Sequence, residues 1–224
     1  MNLSKLLAEA GISAVQPIRF GPGEFCQLDL SKNNPSLERI DLNDEEQFTA
    51  QVFGQLKANG ARVGIGGYLE ERGLYSRSEL FTEDEPRTIH LGIDLWAQAG
   101  TAVYSPFKGV VHSFDNRRFH GDYGPVIILE HEEAGLTFYT LYGHLSTMSL
   151  HGLYEGKPIR KGEQFASLGA YHENFHWPPH LHFQLIMNME GFHGDYPGVC
   201  KASEKGRYLQ NCPNPEFIVM AGLH

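Results

Sequence analysis

From residue 61 onward the chain alternates. Short runs with every second position apolar are broken by glycine and proline, the pattern of an antiparallel β fold. Strands are predicted over residues 62–69, 92–96, 102–104, 109–114, 126–131, 136–144, 163–168 and 180–187. Glu132, Glu133, Ala134 and Gly135 separate two β-rich runs and predict a tight hairpin. Residues 100–111 and 156–165 follow one plan, in which a glycine, a short strand, a second glycine and another strand succeed each other. They read as related turns of one sheet system.

Before residue 61 the period is helical. Leu3, Leu6, Leu7 and Ile12 share one face of a short amphipathic helix. Phe48, Val52, Phe53 and Leu56 repeat at helical spacing over residues 43–59, with Asn43 as the expected N-cap and Asn59 and Gly60 as the stop. Residues 21–34, rich in Gly, Pro, Asn and Ser, read as loop. The domain plan expected is a helix and loop extension over 1–60 packed on a β domain over 61–190. An irregular tail follows over 191–224, where Pro197, Pro213 and Pro215 fall among scattered polar residues.

Composition narrows the classes of partner. With 41% hydrophobic residues among 224, the chain has the makings of a sizeable core. A net charge of -9 argues against nucleic acid, which requires clustered Lys and Arg. No apolar run reaches the roughly 18 residues of a membrane-spanning helix. Lys5 and Glu9 interrupt the N-terminal apolar stretch, so no signal peptide is read and a cytoplasmic location is expected. Three cysteines, Cys26, Cys200 and Cys212, with no C-x-x-C spacing, suit neither a disulfide framework nor a thiolate metal site. Cys200 and Cys212 are the pair that could be joined.

The chemistry lies in three motifs. Pro178 and Pro179 disfavour helix ahead of His180, Leu181 and His182. As a strand this run puts His180, His182 and Gln184 on one face and Leu181, Phe183 and Leu185 on the other. His90 and Asp94 stand four apart. In a straight strand that is about 13 Å, too far to share an ion, so a bend is required, and Gly92 is placed to provide it. His144 follows Tyr142 and Gly143 at a strand end, where site residues collect. Each motif alone also describes ordinary surface or hydrogen-bonded histidines. Together they offer two imidazoles and a carboxylate for a hydrolytic zinc ion, and two further histidines for proton transfer.

Taken in order, the set resembles the lysostaphin-type zinc endopeptidases, which cut peptide cross-bridges of peptidoglycan. The resemblance rests on His90 with Asp94, on His144 within Tyr142, Gly143, His144, Leu145 and Ser146, and on His180 with His182. It spans about residues 86–187. It implies a mainly β fold, a compact antiparallel sheet with a groove over the metal. It implies one Zn2+ per chain, with His90, Asp94 and His182 as ligands and His144 and His180 as the catalytic pair. The substrate implied is a peptide or muropeptide containing glycine or D-amino acids. Residues 171–179 depart from the small, polar approach usual before the paired histidines. Candidates to line the groove are Arg72, Tyr75, His176 and Trp177. Two other functions suit parts of the set: a non-catalytic binding module of the same fold, and a histidine phosphocarrier using His144 and His180. The first would not need all five positions, and the second would leave His90, Asp94 and His182 idle.

Overall fold

Residues Val126, Ile127, Ile128 and Leu129 form an unbroken apolar run, which is what a strand needs when both its faces are covered. In the computed structural model of the protein, which describes residues 3–73, 85–119, 122–174 and 176–223, that is its situation. Ile127 and Leu129 enter one core with Phe138, Tyr142, Leu181, Phe183 and Leu185. Val126 and Ile128 enter another with Ile89, Leu141, Ile186, Tyr196 and Tyr208.

Twelve strands and four α-helices are described. The strands are β1 (Phe25–Leu28), β2 (Val63–Gly66), β3 (Ile89–His90), β4 (Ile93–Trp96), β5 (Ala102–Tyr104) and β6 (Gly109–Arg117). They continue with β7 (Gly124–Glu133), β8 (Leu136–Gly143), β9 (Pro158–Ile159), β10 (Gln164–Ser167), β11 (His180–Ile186) and β12 (Val199–Cys200). The helices are α1 (Leu3–Glu9), α2 (Glu45–Ala58), α3 (Lys205–Asn211) and α4 (Glu216–Val219). An eight-stranded sheet runs β1-β2-β4-β11-β8-β7-β6-β9, and two small ribbons pair β10 with β5 and β12 with β3. Apart from the β1–β2 pair every pairing is antiparallel. The fold is mainly β, as the alternation implies.

The expected hairpin joins β7 to β8. Ala134 (φ 52) and Gly135 (φ 74) are both left-handed, the backbone that a two-residue connection needs to match strand twist. The two segments of similar plan pair with each other, β5 against β10 and β6 against β9.

Three expectations are corrected. Residues 21–34 are not all loop, because Phe25–Leu28 forms β1, parallel to β2 across the intervening α2. A parallel edge strand with a helical crossover leaves little alternation to read. The tail is more regular than its prolines suggest. Val199 and Cys200 pair with Ile89 and His90, while Tyr208 of α3 and Ile218 and Val219 of α4 are buried. The N-cap of α2 is Asp44, not Asn43, since the Asp44 carboxylate accepts from Gln47 N at 3.1 Å.

The extension packs firmly. Phe48, Val52 and Leu56 of α2 meet Trp96 and Trp177 in a third core. Each fully buried side chain of this size contributes about 1.5–3 kcal/mol before entropy is counted. That core abuts the site described below, so α2 braces two aromatic residues beside the histidines.

One buried histidine lies away from those motifs. His131 donates from Nδ1 to the Lys108 carbonyl at 2.9 Å, and its Nε2 lies 2.7 Å from Thr140 Oγ1. Burial pushes its pKa down from 6.5 to about 4, against the Lys108 hydrogen bond that works upward. The unfolded chain therefore binds the extra proton between about pH 4 and 6.5. Stability from this residue is complete above pH 6.5 and is lost as pH falls towards 4, by roughly 3 kcal/mol. Denaturant melts at several pH values should show that loss in the wild type and a flatter profile in His131→Asn. Equal slopes in the two proteins would contradict it.

Candidate metal and peptidase site

Strand register assembles the site. β11 lies between β4 and β8, with His182 directly opposite Asp94 on one side and Gly143 on the other, and His180 opposite Trp96. Directly opposed side chains on one face lie about 5 Å apart at Cβ. The chain breaks between β3 and β4 at Leu91 and Gly92. That break brings His90 Nε2 to 3.2 Å from Asp94 Oδ1, where a straight strand would hold them far apart. Gly92 is needed for close approach as well as for the break. A Cβ there would sit 2.6 Å from the Phe183 carbonyl oxygen and 2.9 Å from His182 Nε2.

His90, Asp94 and His182 converge as a group whose ligand atoms lie within 4.8 Å of one another. Their outer hydrogen bonds decide which atoms face inward. His90 Nδ1 donates to the Gly67 carbonyl at 2.9 Å, leaving a lone pair on Nε2. Gln184 Nε2 donates to the Pro197 carbonyl at 3.1 Å, so its amide oxygen is the atom 2.9 Å from His182 Nε2. His182 therefore carries its proton on Nε2 and a lone pair on Nδ1. These two lone pairs meet at 3.0 Å, and Asp94 Oδ1, buried without a hydrogen-bond partner among the described residues, lies 3.3 Å from His182 Nδ1. Two lone pairs and a carboxylate oxygen turned on one point call for a cation, and the outer bonds to Gly67 and Gln184 are the kind that orient metal-binding imidazoles. The donor set of two nitrogens and one oxygen suits zinc.

Asp94 Oδ2 is taken by Arg72 Nη1, and Arg72 Nε bonds Glu70 Oε2 at 2.6 Å. Burial alone would raise the Asp94 pKa, but the neighbouring His90 and the Arg72 charge hold it well below the usual carboxylate range. Burial, helped by the Arg72 charge, pushes His90 down to about 4.

His144 and His180 stand beside this group with ring centres 4.1 Å apart. His180 Nδ1 donates to the Pro178 carbonyl at 2.8 Å, and its Nε2 lies 4.0 Å from Asp94 Oδ1. Trp96 stacks on the His180 ring with centres 4.0 Å apart, and the Trp177 ring centre lies 6.0 Å from that of each histidine in an edge-on arrangement. Burial lowers the His180 pKa to about 4 and holds His144 well below the ordinary value, with His180 adding to the second effect. Both rings are neutral at pH 7. His144 adopts φ 62, uncommon for a residue with a side chain. Its amide donates to the Tyr123 carbonyl at 2.8 Å and its carbonyl accepts from Gly169 at 3.0 Å, which pins that conformation.

A cavity of about 310 Å³ opens over the group, lined by Asp94, His144, His180 and His182 and walled by Tyr123, Trp177 and Tyr196 among others. Of the expected groove residues, Trp177 and Arg72 line it, although the Arg72 guanidinium is engaged with Asp94 and Glu70. His176 is exposed, packs on Tyr171 at 5.3 Å and is not among the lining residues. Tyr75 lies outside the described residues. Sequence reasoning missed Gln184, Trp96, Glu70 and Tyr123 as site residues. Alternation places Gln184 on the face of His180 and His182 without giving it a role, and Trp96, two positions from Asp94, could have been marked in the same way. Nothing local marks Tyr123.

Residues 88–193 match the family model of peptidase family M23, which spans all five motif residues. The chain carries a peptidase family M23 domain. The M23 domain has likenesses among solved structures. A zinc-containing peptidase from Vibrio cholerae is 28% identical over 44% of this chain and 27% of its own, with a TM-score of 0.35. A putative M23 peptidase from Pseudomonas aeruginosa is 18% identical over 58% and 43%, with a TM-score of 0.39. The catalytic domain of lysostaphin from Staphylococcus simulans is 23% identical over 54% and 80%, with a TM-score of 0.38. This chain thus spans 27% of the first and 43% of the second. A search of curated proteins finds no match. Among the described residues no helix is long and apolar enough to cross a membrane.

Proposed function

We propose that the protein is a zinc-dependent endopeptidase acting on a peptidoglycan-like peptide that contains glycine or D-amino acids. One observation carries the reading: two imidazole lone pairs and the partnerless Asp94 Oδ1 turned on one point at the base of a cavity. The M23 domain supports the reaction class, and the resemblance in the motifs supports the substrate class.

His90 through Nε2, Asp94 through Oδ1 and His182 through Nδ1 would hold the ion. When bound, zinc supplies Lewis acidity and makes water a competent nucleophile near neutral pH. His144 and His180 take the proton and steady the charge that develops on the peptide carbonyl. Both are neutral at pH 7, so each has a lone pair to accept with. Pro178 holds the His180 proton on Nδ1, which leaves Nε2 as its basic atom. Trp96, Trp177 and Tyr123 pack against the histidine rings.

The test pairs metal analysis with hydrolysis. Protein purified without added metal is expected to retain about one zinc per chain by mass spectrometry. It should cleave short oligoglycine or D-alanine-containing peptides, lose that activity to a chelator and regain it with zinc. Undiminished cleavage by the stripped protein would sink the metal reading, and zinc retention with no cleavage of any such peptide would sink the substrate reading.

A further inference from the structure

The residue behind Asp94 is a buried arginine. The Arg72 side chain is 2% exposed and is held on two sides, Nη1 by Asp94 Oδ2 and Nε by Glu70 Oε2. The other Glu70 oxygen accepts from Leu30 N at 3.0 Å, so the line of bonds starts in the segment after β1. Gly66 gives the guanidinium its room, since a Cβ there would lie 2.8 Å from Arg72 Nη2 and 3.4 Å from Asp94 Cβ. A buried guanidinium is costly to desolvate, and so much construction around one is a weak route to stability alone.

We propose that Arg72 is the positioning residue of the metal centre and acts through Asp94. It takes Oδ2 and leaves Oδ1 as the oxygen turned on His90 and His182. A carboxylate's terminal torsion is soft and two-fold. Without a partner it can rotate or offer both oxygens to one ion. A charge-assisted bond to one oxygen removes that freedom. The planar fork of arginine suits the task because Nε and Nη1 serve Glu70 and Asp94 together, and lysine, a single ammonium, cannot reproduce that geometry. The Leu30–Glu70 bond makes residues before the M23 domain part of the support.

This inference rests on the metallopeptidase reading above. The experiment measures zinc affinity by competition with a chromophoric chelator, and the visible spectrum of the cobalt-substituted protein. Proteins compared are the wild type, Arg72→Met, Arg72→Lys and Glu70→Gln, each checked by thermal melting. Zinc binding is expected to weaken about 10–100-fold in Arg72→Met, as for other outer partners of metal ligands. Arg72→Lys should fall between, and Glu70→Gln should shift the same way by less. The cobalt absorption should lose intensity in Arg72→Met, as Oδ2 joins the coordination sphere. Arg72→Lys and Glu70→Gln remain decisive should Arg72→Met not fold. Unchanged affinity and cobalt spectrum in those two variants would overturn the role of Arg72. A wild-type protein that binds no zinc would overturn the metallopeptidase reading itself.

Discussion

Asp94→Ala is expected to release the metal and abolish peptide hydrolysis in one step. Asp94 supplies the only carboxylate oxygen of the converging group, and its Oδ1 has no other partner among the described residues. Without it, His90 and His182 offer two neutral nitrogens and no charge to balance a divalent ion. The loss in affinity should exceed the roughly 10–100-fold that an outer partner carries. The substitution also leaves Arg72 buried with Glu70 as its remaining carboxylate among those described here. Breaking such a pair costs about 3–5 kcal/mol, so melting temperature should fall as well. Asp94→Asn separates the two effects, because it keeps the volume and one carbonyl oxygen while removing the charge. Zinc content, hydrolysis rate and a thermal melt on both variants make the check. Full zinc and full rate in Asp94→Ala would remove the carboxylate from the site.

His144→Ala and His180→Ala should behave differently. Neither residue belongs to the converging group, so both variants are expected to retain zinc while the hydrolysis rate drops about 10²–10⁴-fold. The rings are 4.1 Å apart and both neutral, so they act as a unit. The double variant should therefore lose little more than the worse single one. His180→Ala also removes the ring that stacks on Trp96, and a modest drop in stability should accompany it. The decisive comparison is zinc stoichiometry against turnover. Zinc lost in step with rate would make these residues ligands, and an unchanged rate would deny them a part in the reaction.

Some of this architecture is written locally. The alternation of His180 to Leu185, the hairpin at Ala134 and Gly135 and the helical spacing of Phe48, Val52 and Leu56 each depend on neighbours a few positions away. Their elements appear where the pattern puts them, with ends shifted by one to three residues. β1, β3, β9 and β12 were not legible for a shared reason. Each is only two to four residues long, and each exists because a distant strand presents an edge to pair with. β12 also shows why the tail misleads: Val199 and Cys200 become a strand only against Ile89 and His90.

The sequence by itself determined the ingredients of the site: five chemically suited residues in order, strand alternation that sets His180 and His182 on one face, and a glycine where His90 and Asp94 need a break. Periodicity and residue type suffice for that, because they act within one segment. The tertiary structure alone decided how those residues meet. Register placed His182 opposite Asp94. Gly67 and Gln184 chose which nitrogens face inward, and Arg72 took one oxygen of Asp94 while Glu70 tied it to Leu30. These are contacts between residues 22 to 88 positions apart or set by such contacts. No local pattern encodes them, since each depends on how the sheet closes its pairs.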